Sequence, residues 1–232
     1  MDNESQDLSQ ASNEGIKKEC SFFDLLYGVI ANPTETLRHI VDTKPVLAAV
    51  LLYVVVSLVS GIANIPLRLN RFNQLPLDLS SLNGFNMHAA IFVFIIIGVL
   101  IAVFFSLLGF LAFGGICHLF GRLFKGDGKF SGLISGFGFA SFPGMLATPL
   151  ILISLILGES GYILNSLSSL AFAIWVVILE AIAIRENYQF STGRAVATLI
   201  SSFLVLCLAA FIIVMVLVLG VTALFFGALA SR

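Results

Sequence analysis

Five long stretches of the chain are almost free of charge, and the polar residues collect between them. They run from Pro45 to Leu67, from Ala89 to about Phe113, from Phe130 to Leu157, from Tyr162 to Ile184, and over about 197–227 within Ala195 to Ala230. About 20 apolar residues in a helix cross a hydrocarbon core about 30 Å thick. The pattern therefore predicts an all-α integral membrane protein with five transmembrane helices. Pro45 suits the first position of its helix. The second apolar run continues past Phe113 to Phe120, so its helix either ends near Phe113, breaking at Gly114-Gly115, or runs tilted to Phe120. The fifth run exceeds one crossing, and tilt or an interfacial end absorbs the excess.

Residues ahead of the first span divide in two. The first 21 are polar and acidic and lack the basic-then-apolar order of a signal peptide, which predicts a disordered tail. Residues 22–42 are mixed. "NPTE" marks a helix start, with Asn32 as N-cap, Pro33 at the first helical position and Glu35 placed for a capping box. Leu37, Ile40 and Val41 then share a face. This predicts a short amphipathic helix, lying on the membrane surface or packed on the protein's own rim.

Composition agrees with that class. Hydrophobic residues form 59% of the chain and charged residues 11%, against about 45–50% and about 25% in soluble domains. The formal charge of -1 points to no nucleic-acid partner. Lys and Arg in short loops set orientation. Nine of them (Lys17, Lys18, Arg38, Lys44, Arg122, Lys125, Lys129, Arg185 and Arg194) fall on the N-terminal side of a five-span topology, and Arg68, Arg71 and Arg232 fall opposite. The N-terminus is expected in the cytoplasm and the C-terminus outside. The long first outer loop carries scattered Phe and Leu and is expected to rest on the outer interface.

The third span contains helix breakers. Gly132, Gly136, Ala140, Gly144 and Thr148 recur every four residues, which places them near one helix face. In lipid no hydrophobic force draws helices together, and small residues allow close backbone approach instead. The stripe is read as a contact face. Pro143 and Pro149 each remove a backbone donor, so a kink or short unwound stretch is expected near mid-membrane. Such a break is either structural or, as in transporters, part of a binding site.

These residues also carry a resemblance. "FKGDGKFSGLISGFGFASFPGM" resembles the central signature of the Yip family, the Ypt-interacting proteins, in its prokaryotic form. A glycine-rich loop there precedes a helix with a Gly-Tyr-x-x-x-Pro pattern, matched here by Gly138, Phe139 and Pro143, with Phe for Tyr. "FDLLYGVIANPTETLRHI" and "IWVVILEAIAIRENYQFSTGRAV" are similar to flanking parts of the family, so the resemblance covers roughly residues 22–215. It implies five spans, a cytosolic N-terminus and a role in membrane trafficking or homeostasis. It suggests for Gly138 a separate close contact or the bend itself. "DLLYG" only approximates the eukaryotic motif and that branch's long N-terminal region is missing, which counts against small-GTPase binding.

Candidate chemistry is sparse. "GRLFKGDGK" places Asp127 where a phosphate loop needs lysine, and no strand precedes it. His39, His88 and His118 are dispersed, so no metal site is expected. Cys117 and Cys207 lie in apolar runs and Cys20 in the tail, which predicts buried, inert thiols rather than disulfides. No cofactor is implied. Glu180 is the one acidic residue inside a span, and intramembrane carboxylates are functional candidates. Arg185 marks the interface five residues on, so Glu180 lies about 7.5 Å deep at about 1.5 Å per residue, where a hydrated carboxylate without function is the alternative.

Three functions follow. The leading one is a non-enzymatic protein that organises or binds lipids, other membrane proteins or further copies of itself. A transporter or channel built on the broken third span and Glu180 is second, and a membrane enzyme third. The expected site is the bacterial cytoplasmic membrane, or an endomembrane for a eukaryotic source.

Overall fold

The computed structural model describes residues 21–67, 69, 87–157 and 159–230. The expected disordered tail, Cys20, nearly all of the long outer loop and Arg232 lie outside the described residues. Helices dominate throughout, and no strand occurs among the described residues. In chain order they are α1 (Phe22–Ala31), α2 (Pro33–Thr43), α3 (Val46–Ala63), α4 (Met87–Leu123), α5 (Phe130–Ala140), a 3-10 segment (Phe142–Ala147), α6 (Thr148–Ile156), α7 (Glu159–Tyr188) and α8 (Thr192–Ala230). Among the described residues five helical stretches are long and apolar enough to cross a membrane: Val46–Leu67, Ile91–Leu123, Phe130–Ser154, Gly161–Tyr188 and Thr192–Ala223.

Three local outcomes differ from the sequence reading, and one open alternative is decided. Residues 22–43 form two helices rather than one, because Asn32 and Pro33 end the first and begin the second. The capping box forms at Ser21, whose backbone N–H donates to Asp24 Oδ2 at 3.1 Å. Asn32 makes no side-chain cap bond. Of the two alternatives for the second span the unbroken helix holds: α4 passes Phe113, Gly114-Gly115 and Phe120 and continues to Leu123. With no water to take a freed backbone group, lipid keeps the helix closed through glycines. Finally, Cys117 is buried as expected, but Cys207 is exposed on α8.

α5 occupies the centre and touches α1, α2, α3, α4 and α7. Every residue from Gly132 to Ala140 is buried. One hydrophobic core surrounds it, including Leu37, Ile40, Phe137, Phe139, Leu179 and Ile184. This core sits at the basic end of the bundle, the end bearing Lys44, Lys125, Lys129 and Arg185. At the opposite end a small cluster of Ala63, Leu67 and Ile151 is buried. α4 and α8 pack on each other. Toward the far end α4 keeps α3 on one face, where Val99 is buried beside Gly61, while its other face and most of α8 are uncovered, so Phe94 is 81% exposed and Leu217 62%.

Candidate functional site: a glycine junction and an intramembrane carboxylate

The glycines of α5 are contact points at the basic end. A Cβ on Gly132 would strike the Asn187 side chain and lie 2.9 Å from the Val41 carbonyl oxygen. On Gly136 it would lie 2.8 Å from Ala183 Cβ and 3.2 Å from Val41 Cγ1. These two positions therefore seat α2 and α7 against α5. Gly138 faces another way: a Cβ there would lie 2.5 Å from the carbonyl oxygen of Ala49 on α3. Two glycine faces thus bring three helices to one rod. Phe139 and Ala140 are fully buried, and the Phe139 ring meets that of Phe22 at 5.8 Å.

The face stops at Ala140. Ser141 Oγ donates to the Gly138 carbonyl at 2.7 Å, and the Gly144 N–H donates to the Ser141 carbonyl at 3.0 Å. Pro143 is buried and has no donor to return to Phe139. The chain tightens into the 3-10 segment, which has about three residues per turn and rotates later side chains off the earlier line. Gly144 consequently leaves the contact face, and a Cβ there would meet nothing within 4 Å. Thr148 Oγ1 is buried without a hydrogen-bond partner.

The loop after α4 is strapped to α7. Cβ atoms on Gly121, Gly126 and Gly128 would all run into the Tyr188 ring, at 2.5, 2.7 and 2.5 Å. His118 Nδ1 and the Tyr188 hydroxyl are hydrogen-bonded at 2.6 Å. Asn187 Nδ2 donates to the Lys129 carbonyl at 3.1 Å. Arg185 forks onto Glu186 Oε1, at 2.9 Å from Nε and 2.8 Å from the terminal nitrogen, and also reaches Thr34.

Glu180 stands apart from this junction, on α7. It borders two spaces. One, of about 300 Å³, is apolar and lies among α4, α7 and α8, with Phe113, Leu199 and Phe203 in its wall. The other, of about 450 Å³, is a cleft between α3, the broken third span and α7. Ser60, Asn64, Gly144, Ser169 and Phe172 line it together with Glu180. Ser60 and Asn64 also border a third space of about 350 Å³ with Ser57 and Ser106. No hydrogen bond or ion pair reaches the Glu180 carboxylate among the described residues.

Sequence reading singled out Glu180 and the α5 glycines but missed the α3 stripe. Ser57, Ser60 and Asn64 fall at i, i+3 and i+7, a helical period that marks them as one polar face in an apolar span. It also missed Tyr188, Asn187 and His118. Among the described residues no group of three or more His, Cys, Asp or Glu side chains is placed to hold a metal ion.

Apolar spans around a buried central helix, with the charges gathered at helix ends, define a multi-span helical integral membrane protein. The chain belongs to the Yip1 domain family: the family model matches residues 27–215, which take in α2 to α7 whole and most of α8. No curated protein and no solved structure matches it.

Proposed function

We propose that this Yip1-domain protein is a non-enzymatic membrane component that binds lipids and other membrane proteins and so organises its surroundings. The observation that carries the reading is the contrast between its two ends. At the basic end α2, α3 and α7 are locked on the α5 glycines. At the far end α8 projects with its apolar surface uncovered, as at Phe211, 61% exposed, while α4 stays packed on α3 through Val99 and Gly61. A rigid base holding one projecting helix offers lateral surface to lipid or to another span, where close packing supplies the attraction. The charge asymmetry supports a cytoplasmic basic end.

The test is photo-crosslinking in native membranes. A photoreactive residue at Leu208 or Leu217 should yield discrete adducts, of a partner protein or of lipid. The same residue at buried Leu133 should yield only an internal product. Adducts from α8 no more discrete than those of an unrelated single-span helix would defeat the proposal.

A transporter is the second reading, favoured by the cleft at Glu180. It requires solute flux in proteoliposomes that Glu180→Gln abolishes.

A further inference from the structure

We infer that the cleft between α3, the broken third span and α7 is a binding site for a small organic cation, an ammonium group on an apolar body, with Glu180 as its counter-ion. The inference rests on the cleft alone and needs neither functional reading above.

The size comes first. At about 450 Å³ the cleft falls in the range of small-molecule sites, about 300–1,000 Å³. A bare metal ion would leave most of it empty. It would also need several oxygens converging on one point, whereas the cleft brings one carboxylate and dispersed hydroxyls.

Charge comes second. The described residues place no cation against Glu180. Arg185 is taken by Glu186 and Thr34, and Arg122 lies toward Asp127 and the Gly126 carbonyl. The titratable neighbour of Glu180 is the buried Cys117 thiol of α4, which brings no positive charge. A carboxylate within a span is costly unless paired. One negative charge is matched by one positive charge, and an ammonium donates charge-assisted hydrogen bonds to it.

The walls supply the rest. Asn64 Nδ2 donates to the Ser60 carbonyl at 2.7 Å, and no hydrogen bond among the described residues uses its Oδ1. Asn64 and the Ser60 and Ser169 hydroxyls line the same cleft and are acceptors for the remaining ammonium protons. Phe172 forms an aromatic wall, with Trp175 stacked on it at 6.1 Å and 11°, and an aromatic face attracts a cation. Ile151 and Val176 offer an apolar surface to the body of the ligand. Gly144 lines the cleft with open space beside it, since a Cβ there would meet nothing within 4 Å.

The ammonium can come from a free amine or from the headgroup of an ethanolamine lipid. The experiment uses purified protein in dodecyl maltoside micelles, which carry no charge. Benzylammonium is the probe, benzyl alcohol its neutral counterpart, and empty micelles the blank, with saturation-transfer NMR as readout. Benzylammonium should bind saturably and benzyl alcohol at least tenfold more weakly. Glu180→Gln should weaken benzylammonium at least tenfold, and Glu186→Gln should leave it unchanged. Gly144→Leu, whose Cβ has open space at the cleft wall, should also weaken it at least tenfold at an unchanged melting midpoint. It keeps the test decisive should Glu180→Gln not fold. Adding dioleoylphosphatidylethanolamine separates the sources: competition identifies a lipid headgroup, and undiminished probe binding a free amine. Equal binding of benzyl alcohol, or full benzylammonium binding by a folded Glu180→Gln or Gly144→Leu protein, overturns the inference.

Discussion

Gly138 of α5 lies so close to the backbone carbonyl of Ala49 on α3 that a methyl group placed there would sit 2.5 Å from the oxygen. The obstacle is main chain in the first turns of a span, so no side-chain rotation relieves it. Gly138→Ala should therefore destabilise by about 1–3 kcal/mol, the usual cost of overpacking. Gly144→Ala, six residues on with open space around it, should stay within about 0.5 kcal/mol of the parent. Reversible unfolding in mixed micelles measures both. Equal effects at the two positions would contradict the packing described.

Gly136 and Ala183 offer a compensation test. A Cβ at Gly136 would lie 2.8 Å from that of Ala183, so Gly136→Ala alone should destabilise the protein. Ala183→Gly should recover part of the loss, with a coupling of about 0.5–3 kcal/mol in the double-mutant cycle. Strict additivity would show that α5 and α7 do not meet there.

Tyr188 should separate packing from hydrogen bonding. Tyr188→Phe keeps the ring against Gly121, Gly126 and Gly128 but removes the bond to His118. A loss of about 0.5–1.5 kcal/mol is expected, the net value of one hydrogen bond. Tyr188→Ala also empties the ring's place and should cost about 3–5 kcal/mol, the range for deleting a buried aromatic side chain. Thermal aggregation midpoints should fall in that order.

Orientation is tested with fusions. The nine basic residues on the N-terminal side predict that a reporter after Lys125 is cytoplasmic and one after Arg232 is exterior. Two reporters on the same side would break the five-span topology.

Much of the membrane class was legible because it depends on apolar length, a local property. Val46–Leu67 and Gly161–Tyr188 stand close to where the uncharged runs place them. What was not legible depended on partners. Gly114 reads as a break in sequence, yet it is a notch for Ile134, whose Cδ1 would lie 2.5 Å from an added Cβ. Repetition every four residues carried the α5 stripe on paper through Gly144, but the turn changes pitch after Ala140 and the repeat loses its meaning. His118 and Tyr188 are 70 residues apart, and no local period links them. Glu180 stood out by its charge alone. That Ser60 and Asn64 would share a cleft with it required the α3–α7 arrangement.

The spans are unequal in reach. Val46–Leu67 has 22 residues and Ile91–Leu123 has 33, about 33 Å and about 50 Å at about 1.5 Å per residue. Thr192–Ala223 has 32 residues, so the two long rods stand side by side. Where a rod exceeds the hydrocarbon thickness, tilt or an interfacial end takes up the excess. His118 of α4 is bonded to Tyr188, three residues beyond Arg185, so the last turns of α4 reach past the depth that Arg185 marks. The surplus length of this rod thus works as a post that carries the Tyr188 strap to the headgroup layer.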